Sequence, residues 1–519
     1  MPTITENICK EAYSRSIDLI ASLVAGSEYE HLGFFASSTE KDNYKRLFTR
    51  DVFWIIMASI LSEDEGLLKA CRDSIRKLSR YQREDGAIPS NVSLGGKASY
   101  GIINPRIDPT TLFIIGCIRF AKRHPGKGII DDHFGSIRKA VRYLETHCED
   151  KKHGLLYIPR AGNWADEYLQ QGFVLYDEVL WYMAIREYAD LLRSRGDKDA
   201  EKYFHKAAGI KDMINARFWV KNIRQKNKEQ IYEGLKKKFA FKHEGYYIHF
   251  YHSPGPDKTS FDHPRGIFDA FGNILAVLAG IPSPEQINEI VNFIEEISVN
   301  KYPLVPAHYP FFPEEMFRSS RLYQYRFKEF IGHYHNGGLW AWYTGPYVAG
   351  LIKNGKREKA EKFLQGVLKA NKEKKNGMDF YEYHTGKRAI AYLEVKYPKG
   401  IDFELSTLIT GIARGSRSMI LFHYNRKKVD AENDIALRGL SVQRGGMVKV
   451  SAVGPDAQEA LKKMSELSHN NSQGFFHCHD IIIKGSKPGG VPLLGVSAAA
   501  YVIAYKAFFE GKVIFEECC

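Results

Sequence analysis

The chain has 519 residues, of which 44% are hydrophobic and 26% charged, an ordinary globular composition long enough for two or three domains and a large core. Its formal net charge of +13 is diffuse, and the densest basic clusters (Lys236 to Lys238, and 372–375) fall in expected loops or helix ends, so no basic stripe for nucleic acid is formed. No window approaches about 18 continuous apolar residues, which argues against a membrane span.

Residues 1–15 carry no apolar signal core, and the seven cysteines are odd in number and lack a CxxC spacing. Reduced thiols, a cytoplasmic location and no metal or cofactor are the expectation. The aromatic share of 13% suits a site that stacks sugar rings, although a large core also accounts for it.

Helical periodicity then governs most of the chain. Apolar residues recur at helical spacing near 8–25, 51–62, 66–82, 109–123, 134–148, 173–193, 198–216, 264–279, 284–297, 337–353 and 356–371. A last apolar helix is expected near 492–510, after Pro488-Gly489-Gly490. Twelve helices in hairpins are what two concentric rings of six require, so the predicted fold is mainly α, a six-fold α/α barrel. Loops leaving the inner helices are expected to carry the polar residues, with the site at one mouth.

Residues 388–470 break this period. Strands are predicted at Ala389–Val395, Met419–Tyr424 and Met447–Val453, alternating with helices at 403–414, 434–442 and 456–468. A small α+β domain with its return linker, 388–487, is therefore expected inside a barrel made of 1–387 and 488–519.

Cleaving a glycosidic bond needs one carboxylic acid to protonate the leaving oxygen and a second carboxylate to activate water or attack carbon. Most acidic residues here read as helix-surface partners. Asp166, in Asn163-Trp164-Ala165-Asp166-Glu167, and Glu382, in Asp379-Phe380-Tyr381-Glu382-Tyr383-His384, lie instead in aromatic loops. Aromatic walls desolvate a carboxyl and raise its pKa, as a general acid requires. Helix capping is the blander role for each.

The order of further motifs resembles family 100 glycoside hydrolases, the alkaline/neutral invertases, and more distantly amylo-α-1,6-glucosidase and other glucoamylase-type barrels. Tyr44-Lys45-Arg46-Leu47-Phe48-Thr49-Arg50-Asp51 resembles the family's Tyr-x-x-Val-Phe-x-Arg-Asp opening, and Asn104-Pro105-Arg106-Ile107-Asp108 its Val-Asp before a helix. Tyr334-His335-Asn336-Gly337-Gly338-Leu339-Trp340 resembles Tyr-His-Asn-Gly-Gly-Ser-Trp, the most specific of the set. The resemblance implies Asp166 as general acid and Glu382 as general base. It implies Arg50, Asp51, Asp108, Trp164, His335, Asn336 and Trp340 as sugar contacts. Trp164-Ala165-Asp166-Glu167 departs from the invertases' Ile-Asp-Arg-Arg and is closer to the debranching-type Trp-Met-Asp-Ala, so sucrose is not singled out among α-glucosides.

Residues 390–470 resemble the histidine-containing phosphocarrier protein of bacterial sugar phosphotransferase systems, closest over 445–461 (GGMVKVSAVGPDAQEAL). The carrier's Gly-Leu-His-Ala-Arg-Pro is here Gly400-Ile401-Asp402-Phe403-Glu404-Leu405. Two carboxylates where a carrier presents His and Arg would repel a phosphoryl group, so phosphotransfer is expected to be lost and Asp402 to cap the helix instead. The regulatory-serine position of the carrier is Asn433. The insert is expected to serve packing or docking, of a protein partner or of a second copy.

Two functions stay open at this stage. One is an inverting glycosidase acting on a small α-glucoside. The other is a non-catalytic sugar-binding regulator that docks through the insert.

Overall fold

The structure is a computed structural model that describes residues 6–25, 33–39, 44–124, 128–165, 170–223, 245–298, 303–312, 330–372, 378–469 and 473–515. Its barrel helices are α1 (Glu6–Ser22), α2 (Thr49–Ser62), α3 (Glu65–Arg80), α4 (Asp108–Arg123), α5 (Ile129–Tyr143), α6 (Leu175–Ser194), α7 (Ala200–Phe218), α8 (Ala270–Leu278), α9 (Pro284–Ile297), α10 (Ala341–Lys353) and α11 (Arg357–Asn371). Three short helices of the insert follow: α12 (Phe403–Gly415), α13 (Asp434–Arg438) and α14 (Ala457–Ser465). The barrel closes with α15 (Gly495–Glu510).

Burial sorts the helices into two rings. In α3 one side is covered, with Leu67, Leu68, Cys71, Ile75 and Leu78 among its buried residues, as in a helix with one solvent face. In α15 every residue from Gly495 to Phe508 is buried, as a helix surrounded by others requires. The inner ring runs α2, α4, α6, α8, α10, α15 and back to α2. The outer helices α3, α5, α7, α9 and α11 each pack on the inner helix that precedes them, and α1 packs on α15. All twelve expected helices are present, and one continuous apolar core runs through both rings.

The polar site was expected in the loops leaving the inner helices, and that is corrected. Those connections are tight turns at 63–64, 195–199, 279–283 and 354–356, with no length to build a pocket. The long segments all enter inner helices, so chemistry collects where the inner N-termini meet. The expected helix at 264–279 is also shorter. Residues Pro264–Asp269 form strand β3, which pairs between β2 (Ile248–His252) and β4 (His308–Tyr309), with β1 (Gly172–Val174) on the far side of β2. Pro264 and Gly266 are poor helix formers, and Asp269 caps the true start of α8 by accepting from the Phe271 N–H at 3.2 Å.

Chain leaves the barrel through β5 (Tyr383–His384) and enters a five-stranded antiparallel sheet. Its strands are β6 (Arg388–Val395), β7 (Met419–Tyr424), β8 (Lys427–Asp430), β9 (Met447–Val453) and β10 (Phe476–Lys484), in the order β8-β7-β9-β6-β10. It returns through β11 (Pro488–Gly489), which pairs with β5. The expected return linker is thus partly a nine-residue edge strand. Leu393, Val395, Ile420, Phe422, Val448 and Val450 are buried against Leu461 and Met464, with Ile412 partly covered. Leu408 is 39% exposed, because α12 turns Leu405, Ile409 and Ala413 inward. Helix 434–442 is cut short at Arg438 by Gly439. Asp402 and Asn433 cap α12 and α13, accepting from the backbone N–H groups of Leu405 and Ala436 at 3.0 and 2.9 Å. The opposite face of the sheet meets the barrel, where Met419, Leu421 and Val453 cluster with Ile331 and Phe311.

The ring is tightest where α10 meets α15: a Cβ on Gly345 would fall 2.1 Å from the Ala500 carbonyl oxygen. Backbone cannot yield as a side chain does, so Gly345→Ala should destabilise by about 1–3 kcal/mol. Gly350→Ala on the same helix meets only ordinary side-chain contacts from 3.5 Å outward and should be neutral or slightly stabilising. Thermal unfolding of the two variants beside the parent checks this; equal midpoints would refute the close packing.

Candidate functional site

Four of the six inner helices begin at or beside a buried or half-buried carboxyl, and a fifth follows a buried tryptophan. Asp51 stands in the first turn of α2, Asp108 in that of α4, Asp177 and Glu178 in that of α6, Asp269 caps α8, and Trp340 precedes α10. Helix N-termini favour negative charge, which makes this mouth a tolerable place for carboxylates. Their burial nevertheless disfavours the ionised form. Asp51 is pushed up to about 7, first by loss of solvent and then by the nearby Glu382 charge, with Arg50 opposing. Asp177 is raised well above the usual carboxylate range by burial and by Asp108.

Glu382 is buried at 2% exposure. Tyr44 donates its hydroxyl to Oε1 at 2.6 Å, and the Val491 N–H donates to Oε2 at 3.1 Å. The Glu382 N–H in turn donates to the Val491 carbonyl at 2.9 Å. Gly490, at φ +73°, leaves room for this: a Cβ there would sit 2.0 Å from Oε2. The carboxylate is thus fixed between the segment entering α2 and the strand returning from the insert. Donors on both oxygens suit an ionised, accepting group.

Arg50 donates from Nε to Asp108 Oδ2 at 2.8 Å, and Tyr176 donates its hydroxyl to the same oxygen at 3.2 Å. Asp108 Oδ1 has no hydrogen-bond partner among the described residues, and neither have Asp177 Oδ1, Trp342 Nε1 and the Tyr343 hydroxyl. Such buried polar atoms normally find a partner, so they mark positions where ligand hydroxyls can bond.

The aromatic floor centres on Trp164. Its ring lies 4.8 Å from His335, 5.6 Å from Trp342, 5.8 Å from Phe271 and 6.0 Å from Trp340, all edge to face. His335 stacks on Trp340 with the rings 11° from parallel. Asn163 anchors the loop that leads to Asp166, donating to Asp177 Oδ2 at 2.8 Å and accepting from the Ala165 N–H at 3.1 Å.

Of the residues singled out in the sequence, Arg50, Asp51, Asp108, Trp164, His335, Trp340 and Glu382 come together at this mouth. Asp166 lies outside the described residues. The Asn336 side-chain amide meets the Phe312 backbone, accepting from the N–H at 2.8 Å and donating to the carbonyl at 2.9 Å. It holds the loop before α10 in place, which polar side chains in buried turns commonly do. Tyr44, Asp177 and Gly490 escaped sequence reasoning as site residues. Tyr44 opens the quoted Arg-Asp motif, whereas Asp177 reads as a first-turn helix acid.

Residues 391–470 match the family described as PTS HPr component phosphorylation site. No curated protein matches the chain. Among solved structures, a bacterial glucoamylase complexed with acarbose superposes with a TM-score of 0.51 at 14% identity, covering 98% of this chain and 57% of that one. The fold is glucoamylase-like. A mannosylglycerate hydrolase of glycoside hydrolase family 63 from Thermus thermophilus, in complex with glucose, gives a TM-score of 0.50 at 12% identity, covering 72% of this chain and 93% of that one. An uncharacterized conserved protein from the same organism gives 0.51 at 12% identity with the same coverage. This chain spans little more than half of the glucoamylase's length.

Asp51 is one of several carboxyls at this mouth whose charge is costly to keep. Its folded pKa, about 7, exceeds the unfolded carboxylate value, so the folded state binds the extra proton and loses stability as pH rises between the two. Asp51→Asn removes that loss. Relative to the parent it should gain roughly 1–3 kcal/mol between about pH 4 and about pH 8, read by denaturant unfolding across the range. A difference independent of pH would show that Asp51 titrates normally.

Proposed function

We propose that the chain is an inverting glycoside hydrolase that cleaves a small α-glucosidic substrate, with Asp166 as general acid and Glu382 as general base. The observation that carries this reading is the fixed Glu382 carboxylate, facing an aromatic mouth of unspent buried polar atoms in a glucoamylase-like barrel. The acarbose and glucose bound in the two named structures support a sugar ligand for such a barrel.

In the proposed reaction Asp166 gives its proton to the glycosidic oxygen as the bond to the anomeric carbon breaks. Glu382 takes a proton from a water whose oxygen attacks that carbon from the opposite face. The sugar leaves with inverted configuration, and proton exchange with solvent resets both carboxyls. An inverting pair stands roughly 6.5–9.5 Å apart to admit the water. Tyr44 and Val491 keep Glu382 aimed, and positioning of this kind supplies much of a catalyst's advantage. Arg50, Asp51 and Asp108 Oδ1 would bond the sugar hydroxyls, while Trp164, His335 and Trp340 form the apolar platform. Asn336 is a positioning residue in this scheme.

The barrel unit would comprise 1–387 and 488–519, with 388–487 as the insert, in a cytoplasmic enzyme. A sugar-binding regulator remains the second reading, favoured by two exposed apolar side chains on the insert, Phe403 at 65% and Ile435 at 71%. These would receive a protein partner or a second copy.

Sugar release from sucrose, maltose, isomaltose, trehalose and glycogen separates the two readings. An enzyme should turn over at least one; inertness toward all of them, with sugar binding intact, would favour the regulator. Glu382→Gln and Asp166→Asn should each lower kcat by about 10²–10⁴-fold while ligand binding survives. Gly490→Ala, which crowds Glu382, should also lower kcat. Near-parental turnover in Glu382→Gln would remove Glu382 from the mechanism.

A further inference from the structure

We propose that His249, Asp269 and His308 form a binding site for a transition-metal dication such as zinc, behind the aromatic floor of the mouth. The three residues stand on the adjacent strands β2, β3 and β4, with Asp269 paired directly to His308 in the ladder. One ring nitrogen from each histidine and one Asp269 oxygen lie within 4.8 Å of one another. All three side chains are buried, at 0–1% exposure.

The hydrogen bonding gives the cluster a direction. His308 Nδ1 lies 2.8 Å from the His335 carbonyl oxygen, which can only accept, so Nδ1 carries the hydrogen. Nε2 then presents its lone pair to Asp269 Oδ1, 3.7 Å away. A lone pair and a carboxylate oxygen facing each other out of water repel unless a cation or a proton joins them. The His249 ring, 4.5 Å from that of His308, converges on the same point and offers a third donor. A histidine whose second nitrogen donates to a backbone carbonyl is the usual outer arrangement of a metal ligand. Two imidazoles and one carboxylate suit zinc, cobalt or iron(II) rather than calcium or magnesium. Closing on an ion at 2.0–2.2 Å would ask the ligands to draw in by roughly 1 Å.

The site goes beyond the glycosidase reading and does not depend on it. Its ion would tie three strands together and, through His308, brace Trp164, whose ring lies 19° from parallel to that of His308. The ligands come from three separate strands, which is why no metal-type spacing shows in the sequence.

The test is a cobalt(II) titration of the full chain after chelator treatment, followed in the visible region, with zinc competition. The expected result is one equivalent of cobalt with the intense bands of a four-coordinate site, displaced by zinc and accompanied by a higher unfolding temperature. His249→Gln/His308→Gln should weaken binding by more than about 100-fold. If that variant does not fold, Asp269→Asn, which keeps the helix cap, makes the same comparison. The exposed His477 and His479, with rings 4.7 Å apart on β10, are the natural competitor. His477→Gln/His479→Gln should leave the bands unchanged. A parent protein that takes up no equivalent of cobalt overturns the site, as does a spectrum lost in the β10 variant and kept in the others.

Discussion

Everything at the mouth depends on one seam, the pairing of β5 with β11. These two short strands carry the chain out of the barrel after α11 and back to α15, and they bring Glu382 and Val491 side by side. Closing the sixth inner position and aiming the Glu382 carboxylate are therefore the same structural event. The insert hangs from this seam, so its sheet must bring its two ends together before either can happen. The antiparallel pairing of β6 with β10 does this, placing Arg388 opposite Lys484. An insertion at a loop tip would ordinarily be indifferent to the host's chemistry. Here it is placed where a shift of its ends would move Glu382.

The second constraint is electrostatic. A ring of parallel inner helices aims its N-terminal ends at one mouth, and that favours negative charge there. Burial works against the same charges. Asp51 and Asp269 are each raised to about 7, and Asp177 is raised well above the usual carboxylate range. Arg50, paired with Asp108, is the cation set among them. The mouth therefore keeps carboxyl groups near the boundary between proton donor and acceptor while one carboxylate, Glu382, is held by two donors.

The fold was largely legible because the two rings leave different patterns in the sequence. Outer helices such as α3 are apolar on one side, and inner ones such as α15 are apolar throughout, so twelve helices in hairpins implied the toroid. What escaped was governed by contacts far apart in sequence. Pro264–Asp269 falls inside a run of helical spacing yet becomes a strand, because Pro264 and Gly266 disfavour helix and β2 and β4 pair with it. The side of the barrel holding the site depends on which connections are long, a feature helical periodicity does not weigh. Asp177 looked like a surface helix acid because its neighbours in the chain do not reveal the six-helix ring around it.

The insert illustrates the same division. Its strands followed from alternation and one helix cap from Asp402, whereas the exposure of Leu408 on α12 is decided by how the helix rotates against the sheet, which packing sets. The central claim concerns the barrel: a water held by Glu382 attacks the anomeric carbon of an α-glucoside. Proton NMR of the anomeric region, recorded in the first minutes of hydrolysis before mutarotation, tests it most directly. β-Glucose appearing first is the predicted result; α-glucose appearing first would contradict the account.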